Sequence, residues 1–130
     1  MRILLDTHAL LWWLSDDRRL GKVARSLIED PANDILVSTV SFWEIVVKAR
    51  IGKLDAEIGD IIEAVDRQAF EKLDIRTEHL VELSRLAIHH RDPFDHLLIA
   101  QSISEKVTFL SEDQHVPAYA ISYLTCSASN

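Results

Sequence analysis

The sequence contains a single cysteine, Cys126. With no partner in the chain it excludes an intrachain disulfide framework, and its place near the C-terminus suits a bystander better than a nucleophile. Long apolar runs are also missing. None approaches the roughly 20 residues a membrane helix needs, and the opening MRILLDTHALLWWL is broken by Asp6 and His8 where a secretory signal would stay apolar. A cytoplasmic protein with no membrane partner is expected. Basic residues are outnumbered, 14 Lys and Arg against 21 Asp and Glu, for a formal net charge of -7. Any nucleic acid would therefore be bound against the overall field, which disfavours a plain DNA-binding protein and favours acids gathered around a cation, or a basic partner. No internal repeat, low-complexity stretch or linker divides the sequence.

What is present is a globular balance: 130 residues, 48% hydrophobic and 27% charged, enough for one core and too few for two. A single domain is expected over residues 1–125, with 126–130 as a loose C-terminal tail. RILLD reads as a short buried strand ending in an acid. THALLWWLSDD reads as a helix, with Leu10, Leu11 and Leu14 at helical spacing and Thr7 as N-cap. GKVARSLIED, SFWEIVVKARIGKL, IGDIIEAVDRQ and TEHLVELSRLAIHH are further helices, and DILVS, FEKLDI, KVTFL and AISYL further strands. Gly52 is the expected stop of the SFWEIVVKARIGKL helix. Strands alternating with helices of this length predict an α/β fold, a three-layer domain with a central, mainly parallel sheet flanked by helices.

In such a fold, strand ends and the starts of following helices share the edge where ligands bind. Asp6 follows the first strand, Glu44 is expected in the first turn after DILVS, Asp95 in the first turn after residue 92, and Asp113 beyond KVTFL. Each has a plain structural explanation. Ser41 and Glu44 have the spacing of a capping box; Asp92 can cap a helix with Pro93 at its first position, and Asp95 then faces the positive end of the dipole. Asp6 could cap jointly with Thr7, and Asp113 could be a solvated turn residue. Together these explanations weaken, because four carboxylates on one rim repel one another and no neutralising Lys or Arg stands out in the sequence. Such a cluster stays partly protonated or recruits a hard cation such as Mg2+ or Mn2+, whose usual task among carboxylates is phosphoryl chemistry with a metal-activated water.

LLDTHALLWWL, SFWEIVVKARIGKL, HRDPFDHLLIAQ and FLSEDQ, in this order and spacing, resemble the PIN-domain ribonucleases, specifically the VapC-like toxins of bacterial toxin-antitoxin modules. The resemblance runs from Leu4 to about Tyr123. It implies a PIN-like fold and a Mg2+- or Mn2+-dependent endoribonuclease, held by a cognate antitoxin and commonly a homodimer. It implies Asp6, Glu44, Asp95 and Asp113 as catalytic, metal-binding acids, with Asp92 as a candidate extra ligand. Thr7 and Ser111 match hydroxyl positions that orient the acids or their waters. Two departures stand out: His96 replaces a frequent arginine, and LSEDQ carries Ser111 and Glu112 where a threonine and a basic residue are frequent, so that Glu112 is a further candidate carboxylate.

Three other functions compete. A metal-independent ribonuclease would use some of the six histidines, although His89 and His90 read more simply as the solvated end of a helix. A receiver-like module would need an acidic pair after the first strand and a lysine after a late one, yet Lys106 precedes VTFL. A catalytically silent PIN-like binding module is disfavoured by the intact acids. Lys48, Arg50 and Lys53 form either a local RNA track or a complement to a helix C-terminus. Trp12, Trp13 and Trp43 suit base stacking or, for at least two of them, a core or interface.

Overall fold

The computed structural model describes residues 1–127. In chain order its elements are β1 (Arg2–Leu5), α1 (Thr7–Leu14), α2 (Lys22–Glu29), β2 (Asp34–Ser38), α3 (Thr39–Arg50), α4 (Ile58–Arg67), β3 (Glu71–Leu73), α5 (Thr77–Arg85), α6 (Pro93–Glu105), β4 (Thr108–Leu110), a 3-10 turn (Val116–Ala118) and β5 (Tyr123–Leu124). The five strands pair in the order β3-β2-β1-β4-β5, every pair parallel, which is the expected α/β architecture.

Alternation along the strands builds two cores. Ile3 and Leu5 of β1, Ile35 and Val37 of β2 and Leu110 of β4 face α1, α2 and α4, where Leu10, Ala24 and Val65 are buried. Leu4, Leu36 and Phe109 point the other way, onto Leu97, Leu98 and Ile99 of α6 and onto Tyr119. Helices on both faces leave the strands apolar throughout, as their sequences are. Gly52 ends α3 with φ +76, a left-handed conformation that glycine adopts without cost; a Cβ there would meet nothing within 4 Å, so the requirement is conformational and not steric.

Three helix boundaries differ from the sequence reading. Asp6, not Thr7, caps α1, its Oδ1 accepting from Ala9 N at 2.7 Å. Helix α3 begins at Thr39 under a Ser38 cap, two residues before the expected Ser41. Helix α5 stops at Arg85, where Leu86 turns extended, so that AIHH forms a connection across the top of the domain.

The loose tail expected from residue 126 is also corrected. Cys126 is fully buried in the α1/α2 core, and its carbonyl accepts from Gly21 N at 2.7 Å. Ser127 donates through N (2.9 Å) and Oγ (2.6 Å) to the Glu112 carboxylate. Residues 128–130 of the expected tail lie outside the described residues. Among the described residues, no helix is long and apolar enough to cross a membrane.

Candidate active site

Strand order reverses at β1, which has β2 on one side and β4 on the other. Beyond the carboxyl ends of β1 and β4 the connections diverge and leave a crevice, the usual ligand position in an open parallel sheet. Asp6 occupies it. Its backbone N donates to Leu110 O at 3.0 Å, its Oδ1 caps α1, and its Oδ2 accepts from Ser111 Oγ at 2.6 Å. Burial pushes the Asp6 carboxyl up to about 6; the bonds from Ser111 and Ala9 oppose the rise, and the neighbouring Glu44 charge adds to it.

Glu44 reaches the same crevice from α3. Because the helix starts at Thr39, Glu44 lies in the second turn and not in a capping box with Ser41. It is 2% exposed. Thr7 donates to its Oε1 at 2.6 Å, with Ser41 Oγ a further 3.0 Å from the Thr7 hydroxyl, and Lys48, one turn on, pairs with Oε2. Burial disfavours the Lys48 charge, but the bond to Glu44 and the fields of Glu44, Asp92 and Asp95 outweigh it and raise the Lys48 pKa. The cluster thus has the cation that the sequence reading missed. Lys48 belongs to the acids, whereas Arg50 and Lys53 lie exposed at the end of α3 and beyond it.

Helix α6 enters from the other side. Asp92 is its N-cap, with Oδ1 accepting from Phe94 N (3.0 Å) and Asp95 N (3.2 Å), and Pro93 stands at the first helical position. The cap directs Asp95 inward toward Asp113. Burial raises the Asp95 pKa far above the usual carboxylate range, and a shared hydrogen bond with Asp113 and the charges of Asp92, Asp113 and Asp6 raise it further. Burial pushes Asp113 up as well, yet the Asp95 hydrogen bond, the His115 N–H at 2.8 Å and the nearby His90 and His115 hold it below its ordinary value. Ser111 joins the two strand ends, accepting from Asp113 N at 3.1 Å while donating to Asp6. All four expected acids, Asp92 and both expected hydroxyl residues are therefore neighbours. Glu112 lines the adjoining cleft, but its carboxylate is taken up by Ser127.

A histidine group lies beside the acids, contrary to the expectation of a solvated helix end. The His90 ring stacks on His115 (4.8 Å between centroids, 14° between planes) and meets His96 edge-on at 4.7 Å. Its Nδ1 lies 2.9 Å from Tyr119 Oη, and His96 Nε2 lies 2.6 Å from the His90 carbonyl. Burial, with His96 and His115 nearby, lowers the His90 pKa despite the Asp113 and Asp92 charges. His90, Asp95 and Asp113 each offer a ligand atom within 4.8 Å of the others. An open cleft of about 600 Å³ lined by His90, Asp92, Asp113 and His115 leads to them. The sequence signal for His90 was its place two residues before the Asp92 cap, which only the early end of α5 makes meaningful.

The donor set fits a divalent cation. Carboxylate oxygens from separate elements converge, their protonation is perturbed by mutual repulsion and burial, and Lys48 neutralises only Glu44 directly. Trp43 and Phe94, one residue before Glu44 and Asp95, pack edge-on at 4.7 Å, with Trp43 50% exposed. Trp12 and Trp13 pack against the α1-side core. Lys106 caps the far end of α6, at the amino edge of the sheet, which removes the receiver-like arrangement.

The sequence matches the PIN domain family over residues 3–121. No curated protein sequence matches it. The fold is similar to VapBC2 from Rickettsia felis bound to a DNA fragment from its promoter (TM-score 0.72, 12% identity, covering 96% of this chain and 98% of that one). It is likewise similar to DNA-bound VapBC from Salmonella typhimurium (0.73, 11%, 96% and 98%). A third similar structure is VapBC-5 of Mycobacterium tuberculosis, a member of the VapBC family of toxin-antitoxin systems (0.60, 18%, 98% and 98%).

Proposed function

We propose that this chain, which belongs to the PIN domain family, is a Mg2+- or Mn2+-dependent endoribonuclease and the toxin of a toxin-antitoxin pair. The observation that carries the catalytic reading is the meeting of Asp6, Glu44, Asp95 and Asp113 at the strand-order reversal, from four separate parts of the chain. Asp6, Glu44, Asp95 and Asp113 would hold the metal, with Asp92 as a candidate extra ligand. When bound, the metal supplies a nucleophilic water at neutral pH and stabilises charge on the phosphate oxygens.

The chain's own residues do the positioning. Ser111 fixes the Asp6 carboxylate, Thr7 fixes Glu44, and Asp92 fixes the start of α6 and so the direction of Asp95. Lys48 and Arg50 in the last turn of α3 and Lys53 just past it are the basic residues on which an RNA backbone could track locally despite the net charge of -7. The likeness to VapBC complexes supports a cognate antitoxin as partner, and we include a homodimer and a cytoplasmic setting in the same reading.

The test compares the wild type with Asp6→Asn and Asp95→Asn for growth arrest on expression and for Mg2+- or Mn2+-dependent cleavage of RNA. Both variants should lose both effects. Undiminished toxicity and cleavage in the two would overturn the assignment.

A further inference from the structure

His90 is the feature the carboxylate site leaves unexplained. Its side chain is 8% exposed, and its Nε2 is buried with no hydrogen-bond partner. Buried polar atoms are nearly always partnered, so an orphan calls for an account. The nearest acidic group is the Asp95 carboxyl, with Oδ2 at 3.6 Å, beyond hydrogen-bonding distance. The ring cannot easily turn away, because His115 stacks on it, His96 abuts its edge and holds its carbonyl, and Tyr119 holds Nδ1.

We propose that His90 Nε2 is a nitrogen ligand to a transition-metal ion that it shares with Asp95 and Asp113, and that it biases the site toward Mn2+ over Mg2+. The inference rests on the metal-dependent reading above and adds to it a ligand type and a selectivity. In this role Nδ1–H donates to Tyr119 Oη, which leaves the Nε2 lone pair facing Asp95. Ligand histidines are characteristically held this way, the second ring nitrogen bonded to an oxygen that fixes tautomer and orientation. The three ligand atoms already lie within 4.8 Å of one another, close enough to surround one ion. Imidazole nitrogen strengthens binding of first-row transition metals, whereas Mg2+ takes oxygen donors and keeps its waters.

The experiment is Mn2+ binding to the full chain, followed by electron paramagnetic resonance, with pulsed spectra recorded to detect nitrogen-14 coupling. Wild type should show that coupling. His90→Gln should lose it and bind Mn2+ on the order of 10- to 100-fold more weakly, with Mg2+ affinity changing much less. His89→Gln, in the exposed neighbour, should keep the coupling. The wild-type spectrum needs no variant to fold. Bound Mn2+ without nitrogen coupling, or coupling that survives His90→Gln, overturns the proposal and leaves a carboxylate-only site standing. Absence of Mn2+ binding by wild type overturns the proposal together with the metal-dependent reading beneath it.

Discussion

Ser111 Oγ donates to Asp6 Oδ2 at 2.6 Å, a bond between residues 105 positions apart that ties the end of β4 to the end of β1. It lowers the pKa of a carboxyl that burial has raised. Ser111→Ala should move the acid limb of the RNA-cleavage profile to higher pH by up to about one unit, since one hydrogen bond is worth roughly 0.5–1.5 kcal/mol. A pH–rate profile unchanged in shape and position would show that Asp6 does not limit activity.

The raised Asp6 pKa also makes a stability prediction. Folded Asp6 titrates at about 6 against 3.8 for the free group, so between those values the folded state holds the extra proton. Stability from this group is therefore present below pH 3.8 and lost as pH rises through 6, by an amount on the order of 3 kcal/mol. Asp6→Asn keeps a capping side chain and removes the titration. Without metal, the variant should gain Tm relative to wild type as pH is raised from 5 to 7. A Tm difference independent of pH across that window would contradict the burial argument.

Lys48 neutralises a glutamate with a 3% exposed side chain, while its own side chain is 33% exposed. Lys48→Met should destabilise the metal-free protein by about 1–3 kcal/mol in urea unfolding, below the full cost of breaking a buried pair because Lys48 meets solvent. Lys48→Arg should recover part of this. Equal stability of wild type and Lys48→Met would mean that Glu44 does not depend on its counter-ion.

Chelation separates the metal reading from the histidine one. EDTA should abolish RNA cleavage and added Mn2+ should restore it. His90 touches both His96 and His115 beside the acids, which gives an acid-base alternative a physical location. Cleavage that persists in EDTA and leaves 2',3'-cyclic phosphate ends would transfer the chemistry to those imidazoles.

Cys126 is buried, and burial raises its thiol pKa with Asp6 and Glu112 adding to the effect. In the native protein it should be inert to thiol reagents at neutral pH and become fully reactive in denaturant. Rapid labelling of the native state would mean that the closing segment past β5 detaches readily.

The α/β class and the convergence of Asp6, Glu44, Asp95 and Asp113 were legible because both follow from alternation: apolar strands ending in acids, then helices opened by caps. Asp92 and Pro93 were legible for the same local reason. What escaped depended on competition between neighbours. Ser38 and Ser41 are both good caps, and the earlier one wins, which moves Glu44 into the second turn. Asp6 and Thr7 compete likewise, and the carboxylate wins, leaving the Thr7 hydroxyl free for Glu44. Glu44 and Lys48 stand four apart, a spacing that announces an ion pair once the helix is accepted. His90 was hidden more deeply, since TEHLVELSRLAIHH has nothing that marks Leu86 as a helix end, and only the packed structure brings the ring over Asp95.

The arrangement of β1 also has a consequence for how the protein comes into being. The central strand β1 is made before the other strands of the sheet, yet its neighbour β4 follows some hundred positions later. Until β4 emerges, Asp6 has neither the Leu110 carbonyl nor the Ser111 hydroxyl to hold it, and Asp113 has not been made. Nascent and prematurely terminated chains therefore lack an assembled centre. The acids can meet only after β4 and the segment carrying Asp113 have been made.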